Sequence, residues 1–299
     1  MQRRGRDQGG WTGDNRIGGN GFDYDSDCQF YYYQSSLFVI ERLFLIEFRN
    51  VSFSYGDKQV LEDLSFKIPA GEARVIMGQS GSGKSTILRL ILGLVKPDKG
   101  DILIENTNIC GVRPKVLREI RKRIGMVFQA GALFDSLTVG ENVGYYLLEH
   151  SKMSFEKIED KVREMLGFVG LSEEIIDQLP DSLSGGMQRR VAIARALLST
   201  DPKIMLYDEP TTGLDPKMTT NIINLINRLA EVRNVTSVIV THQIADAFEV
   251  AEKFIIIDSG KSVFDGDITQ LRQADDPRIV GFLKPFRDSI ANVQKKDFI

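Results

Sequence analysis

Apolar positions change their spacing several times along this chain, and each change predicts an element. Between Ile46 and Tyr55 they alternate (Ile46, Phe48, Val51, Phe53, Tyr55) with one irregular step, the pattern of a strand. A turn at Gly56-Asp57 leads to a second strand over residues 60–68. Residues 73–77 form a short, mostly apolar strand that enters a glycine-rich stretch. Ile87, Leu90, Ile91 and Leu94 then share one face of a helix over residues 84–94. Helical spacing dominates residues 114–123 and 139–183, and strands return at 204–207, 236–240 and 254–257 with a helix between each pair. Strands alternating with helices predict a parallel α/β sheet. The helix-rich middle, about residues 130–190, predicts an inserted helical subdomain.

The first 44 residues lack either period. Residues 3–21 are rich in Gly, Arg, Asp and Asn, and the aromatic run Phe30 to Tyr33 has no pattern, so disorder is expected here. A signal peptide would need an apolar segment and a small-residue cleavage site, and neither is present. The folded pattern opens at Leu45-Ile46-Glu47-Phe48, which predicts a native start at Leu45 from a TTG codon, with Glu41-Arg42 encodable as a ribosome-binding sequence. The competing expectation is a genuine extension that docks on a partner. Residues 45–266 are then the main domain and residues 267–299 a helical tail.

Composition narrows the function classes. With 42% hydrophobic and 26% charged residues the chain can bury a core. A net charge of -3 leaves no basic excess to neutralise phosphates, which argues against a nucleic-acid partner. Two cysteines, Cys28 and Cys110, are too few for a metal cluster or a disulfide framework, so free thiols in a reducing compartment are expected. The best apolar stretch, residues 37–46, is broken by Glu41 and Arg42 and falls short of the roughly 18 residues a membrane span needs. A role at a membrane therefore requires a partner.

Chemistry enters at Gly78-Gln79-Ser80-Gly81-Ser82-Gly83-Lys84-Ser85, which matches the phosphate-binding pattern G-x-x-x-x-G-K-[ST] between a predicted strand and a predicted helix. The glycines let successive backbone N–H groups converge on phosphate oxygens, and the helix adds its positive end. Lys84 is expected on the β- and γ-phosphates, Ser85 on Mg²⁺ and Thr86 on the α-phosphate. Kinases, GTPases and motors share this loop, so it implies a nucleotide rather than a function. The strand at 204–207 ends in Asp208-Glu209; alone that pair would be a solvated loop start, but beside the phosphate loop Asp208 can hold Mg²⁺ through water and Glu209 can orient the attacking water. In Leu183-Ser184-Gly185-Gly186-Met187-Gln188, Ser184 can cap a helix whose first turn is left bare by Gly185 and Gly186, a second anion site in one chain. In isolation the same residues would be a capped helix and nothing more.

The stretch 183–188 resembles the signature motif of ABC ATPases, and further family motifs follow in order over about residues 46–264. Gln129, after Met126-Val127-Phe128, resembles the Q-loop; Asp208-Glu209 resembles the Walker B end; Gly213-Leu214-Asp215 resembles the D-loop; His242 resembles the switch histidine; and Tyr55 stands where the family places an adenine-stacking aromatic. The resemblance implies a P-loop NTPase, RecA-like α/β core with an antiparallel β subdomain and an inserted α-helical subdomain. It also implies ATP with Mg²⁺, and a head-to-tail dimer of two copies with two shared sites. In that dimer Ser184, Gly185 and Gly186 of one copy face the phosphate loop of the other. Glu209 would polarise the water, Gln129 would sense Mg²⁺ and the γ-phosphate, and His242 would contact the γ-phosphate. His150 has no such setting and is read as surface.

Two short runs point within the family. Gly131-Ala132-Leu133-Phe134, with no proline before Thr138-Val139, resembles the ATPases of the mammalian-cell-entry (MCE) lipid transporters, and Asp276-Pro277-Arg278-Ile279 with Phe282-Leu283 resembles the C-terminal motif of that group. The implied partners are an integral membrane permease and an MCE-type lipid-binding protein, at the cytoplasmic face of the inner membrane. Leu133 and Phe134 are expected on a partner-facing loop, with core packing the alternative. An ATPase of a small-solute importer remains the competing reading. A non-transport ABC ATPase would carry two nucleotide domains, a long coiled-coil insertion or zinc cysteines, none of which this chain has.

Overall fold

A computed structural model of the chain describes residues 44–284. The disorder expected for residues 1–44, the segment that the expected Leu45 start would leave out, lies outside the described residues except at Phe44, which opens the first strand; residues 285–299 of the expected tail lie outside them too.

Two sheets organise the described chain. Strands β1 (Phe44–Tyr55), β2 (Lys58–Pro69), β4 (Lys99–Ile104) and β5 (Thr107–Asn108) form an antiparallel sheet in the order β2-β1-β4-β5. The irregular step in β1 is a bulge: the register slips between Phe48 and Val51, and Asn50 takes a φ of 49°. The second sheet has the order β10-β9-β3-β8-β7-β6, from β3 (Ala73–Met77), β6 (Ile124–Val127), β7 (Ile204–Asp208), β8 (Thr236–Thr241), β9 (Lys253–Asp258) and β10 (Lys261–Asp267). All neighbours in it are parallel except β10, which returns antiparallel to β9.

The parallel strands are buried on both faces, which is why they read as continuous apolar runs. Val75, Met77, Met205, Tyr207, Ile239, Phe254 and Ile256 join a core with the helices of the middle segment. Their alternates Ile76, Ile204, Leu206, Val238, Val240, Ile255 and Ile257 join a second core with the antiparallel sheet and helix α1 (Lys84–Ile91).

Some elements differ from the sequence expectation. Helix α1 stops at Ile91 because Gly93 turns left-handed at φ 59°, leaving Leu94 exposed. Helix α2 (Pro114–Arg121) lies near the predicted place. The predicted run 139–183 is two helices, α3 (Val139–His150) and α4 (Phe155–Phe168), then two short 3-10 turns. The Ser151 hydroxyl donates to Leu147 O at the first break, and Gly170 at φ 71° makes the second. Strands β4, β5 and β10 were not expected: half of β4 is exposed, and β10 ends in Asp265-Gly266-Asp267.

Helices α5 (Gly185–Thr200), α6 (Pro216–Arg233) and α7 (Ile244–Val250) follow, and the tail adds α8 (Ile268–Arg272) and α9 (Pro277–Leu283). Leu271, Ile279 and Leu283 bury in the core that holds Phe254 and Ile256, so this part of the tail shares the main core. No helix among the described residues is long and apolar enough to cross a membrane.

Candidate active site

The carboxyl ends of four adjacent parallel strands carry the predicted chemistry. In the order β3, β8, β7, β6 these ends lead to the glycine loop, His242, Asp208-Glu209 and Gln129. Ligands of parallel α/β sheets bind at this edge.

The loop after β3 is shaped by close approach. A Cβ on Gly78 would stand 2.4 Å from Ile257 O, and Gly83 takes a φ of 103° with Leu61 crowding its Cα. Gly83 is the N-cap of α1 and offers no side chain, so the first N–H groups of the helix lack an internal acceptor. Lys84 is buried, and its Nζ donates to Gly78 O at 2.8 Å and Gln79 O at 3.0 Å. Burial holds this amine below its ordinary pKa, while Glu209 and Asp208 pull it upward. Ser82 Oγ is buried without a partner among the described residues. A buried cation resting on carbonyls beside bare N–H groups is a donor set that fits a polyphosphate. Ser80, Gly81 and Ser85 are exposed around it, and Thr86 is buried.

Ser85 Oγ donates to Asp208 Oδ1 at 3.1 Å. Burial pushes the Asp208 carboxyl above the usual range, the bond from Ser85 opposes this, and the neighbouring Glu209 adds to it. A hydroxyl and a carboxylate at hydrogen-bond distance suit a hard divalent cation that takes its other ligands from phosphate and water.

Glu209 has a left-handed backbone, φ 50°, fixed by its N–H donating to Val240 O at 2.9 Å. Its carboxylate is held from every side. Oε1 lies 2.8 Å from His242 Nδ1, and Oε2 accepts from Thr212 Oγ1 at 3.0 Å, Thr241 Oγ1 at 3.2 Å and His242 N at 3.4 Å. Glu209 is thus held in one posture by four bonds, one of them to the half-exposed His242 ring.

Gln129 is exposed just past β6, on a loop gripped from behind. Arg189 Nη1 donates to Phe128 O at 2.8 Å, and Arg195 donates to Ala132 O at 2.8 Å and Gly131 O at 3.0 Å. The fully buried Asn142 accepts from Phe134 N at 2.8 Å, and its Nδ2 lies 3.0 Å from the carbonyl oxygens of Phe134, Leu137 and Thr138. Leu133 and Phe134 part company here: Leu133 packs against the core, whereas Phe134 remains 44% exposed against Tyr145. Tyr55 is exposed at the end of β1, edge-on to Phe53, with its hydroxyl accepting from Arg89 of α1 at 3.0 Å.

Ser184, Gly185 and Gly186 open a different helix, α5. Ser184 caps α5 by accepting from Met187 N at 3.3 Å, and Ser184 and Gly185 are exposed. Gly186 is buried because a Cβ there would meet Met218 Sδ at 2.7 Å. Asp215, also exposed, caps α6 by accepting from Met218 N at 3.0 Å. The main packing partners of α5 are α3, α4, α6 and β6, and those of α1 are β4, β7 and β8. Sequence reasoning missed Thr212, Thr241, Arg189 and Asn142; the signal for each is a polar residue inside an apolar setting, visible only once distant segments meet.

Residues 61–212 match the family model described as ABC transporter. The intermembrane phospholipid transport system ATP-binding protein MlaF of Haemophilus influenzae is 40% identical over 240 residues, 80% of this chain and 90% of that protein. The glutamine transport ATP-binding protein GlnQ of Escherichia coli is 45% identical over 224 residues, 75% of this chain and 91% of that protein. The dimeric, ADP- and phosphate-bound structure of the ATP-binding cassette MJ0796 superposes with a TM-score of 0.68 at 37% identity, covering 74% of this chain and 98% of that one. The chain belongs to the ABC transporter family, as its ATP-binding, ATP-hydrolysing subunit.

Proposed function

We propose that this ATPase powers phospholipid transport through a membrane permease, working as a head-to-tail pair of copies at the cytoplasmic face of the inner membrane, with an MCE-type lipid-binding protein in the same assembly. ATP supplies the anhydride bond that water cleaves, and Mg²⁺ supplies positive charge on its phosphates. The bare end of α1, with Ser80, Gly81, Ser82, Gly83, Lys84 and Thr86, binds the phosphates, and Tyr55 offers a flat ring to the base. Ser85 and Asp208 hold the cation, and Gln129 completes that side. Glu209 accepts the proton of the attacking water, and His242, bonded to it, turns to the γ-phosphate.

Ser184, Gly185 and Gly186 serve the nucleotide of the second copy; the exposed start of α5 and the dimeric, ADP-bound form of the similar cassette MJ0796 support this reading. Asp215, exposed at the start of α6, is assigned to the same joint in this reading.

The observation that carries the lipid reading is the near full-length match to a phospholipid-transport ATPase, joined to the Gly131–Phe134 and Asp276–Ile279 runs. The match of 224 residues, at 45% identity, to a glutamine transport ATP-binding protein favours a small-solute importer as the second reading. The test is to purify the chain with its membrane subunit from native membranes, identify that subunit by mass spectrometry, and reconstitute the complex. ATP-dependent transfer of labelled phospholipid, lost in Glu209→Gln while ATP still binds, is the expected result. ATP-dependent uptake of an amino acid without lipid transfer would replace the lipid reading. Phe134 is the permease-facing residue beside Gln129, so Phe134→Ala should weaken recovery of the membrane subunit several-fold with nucleotide binding intact.

A further inference from the structure

We propose that Arg189 is a positioning residue that ties the phosphate-facing helix α5 to the two groups that read the other nucleotide, Gln129 and Glu209. Five residues past Ser184, about 7.5 Å along the helix axis, Arg189 turns inward and is 7% exposed. Its Nη1 donates to Phe128 O at 2.8 Å, the carbonyl just before Gln129. Its Nη2 donates to Thr212 O at 3.3 Å, and the hydroxyl of Thr212 in turn donates to Glu209 Oε2 at 3.0 Å. One guanidinium therefore spans three segments that the chain separates by 61 and 23 residues.

A buried cation is a costly way to fill space. Burial lowers the pKa of this guanidinium, and its Nε is buried with no partner among the described residues. A well-packed apolar side chain would satisfy the core at less desolvation cost. The planar fork of Arg does what no apolar residue can, fixing the spacing of two carbonyls at once. Helix α5 runs unbroken over 16 residues, and Arg195, further along it, grips the same loop at Gly131 and Ala132. A displacement at Ser184 is thus delivered to Phe128 and Thr212 together.

This inference rests on the shared-site reading, in which Ser184 faces the nucleotide of the second copy; Arg189 then links the occupancy of one site to the alignment of the other. The experiment compares Arg189→Met, Arg189→Lys and Ser184→Arg in the full chain by nucleotide Kd, ATPase kcat and KM, and thermal unfolding. Arg189→Met should keep Kd within about twofold and the unfolding midpoint within a few degrees, while kcat falls roughly tenfold. Arg189→Lys, which keeps a donor for one carbonyl, should regain part of kcat even if the Met variant folds poorly. A structural role alone would lower the midpoint and leave kcat per folded molecule unchanged, and that result overturns the proposal. So does a parallel loss of Kd and kcat. If Ser184→Arg hydrolyses at the normal rate, the shared-site reading fails and this inference with it. If Ser184→Arg is inactive and Arg189→Met is fully active, only the role of Arg189 is lost.

Discussion

The chain holds two glycine-flanked helix starts, and they are finished differently. At α1 the cap is Gly83, left-handed and without a side chain, and a buried lysine waits beside it. At α5 the cap is Ser184, whose hydroxyl already accepts from Met187 N, and no cation stands in its first turn. The first start is bare, with Lys84, Ser85 and Asp208 of the same chain around it. The second is capped and exposed at Ser184. A helix dipole is common to both; what differs is how much of the remaining charge the same chain supplies. In the shared-site reading proposed above, the α1 end is the half-site one copy supplies, and the α5 end acts against a phosphate brought by another.

Removing the lysine should break the first start most severely. Lys84→Ala is expected to weaken ATP affinity by about 100-fold or more, as the loss of a desolvated charge contact predicts, and hydrolysis falls with it. Equilibrium binding of a fluorescent ATP analogue measures this, and near-normal affinity would equate the two ends. Ser184→Arg should instead leave the affinity of the isolated chain intact and reduce ATPase by about 30-fold, a cost of about 2 kcal/mol in the barrier. Mixing Ser184→Arg with Lys84→Ala places both lesions in one shared site and spares the other, so activity appearing only on mixing marks the sharing.

A smaller, pH-dependent difference sharpens the contrast. Lys84 has a folded pKa below its ordinary 10.5, set by burial, so between the two values the unfolded chain binds more protons than the empty fold. The empty protein should therefore gain stability from Lys84 as pH rises through that window, while ATP affinity, which needs the charged amine, declines. The α5 end has no titrating group in its first turn and should show no matching change. Calorimetric unfolding and binding measured across alkaline pH would separate the two, and an affinity flat up to pH 10.5 would contradict the role of burial.

The smallest expected effect is that of the cap itself. Ser184→Ala removes one 3.3 Å bond and should cost about 1 kcal/mol, or roughly 2–4 °C in Tm for a domain of this size. No substitution at Gly83 can reproduce it, because there is no cap bond to lose.

The first start was legible in the sequence because its signals are local: a strand, a glycine loop, Lys84 and Ser85 within a few residues. The α5 start was legible as a motif for the same reason. Strands β4 and β10 were hidden by their polar residues: Lys99, Gly100 and Asp101 in the first, and all but Val263 and Phe264 in the second, carry no apolar signal. Glu209 was readable as a residue but its posture was not. Glutamate has no preference for a φ of 50°, and its holders Thr241 and His242 arrive 32 and 33 residues later on the neighbouring strand. Arg189 escaped notice because an arginine in a helix is ordinarily solvated, and its burial follows only when the loop at Phe128 packs against α5.

The order of strands sets a timetable for synthesis. The antiparallel sheet of β1, β2, β4 and β5 is complete by Asn108, but β3 pairs only with β8 and β9. Roughly 160 residues separate β3 from β8, so at about 5–20 residues per second the strand that carries the phosphate loop waits on the order of ten seconds without a partner on either edge. A nascent chain halted between β7 and β8 would present the open edge of β3 to chaperones. A helper that recognises unpaired strands would therefore meet this protein before any nucleotide does.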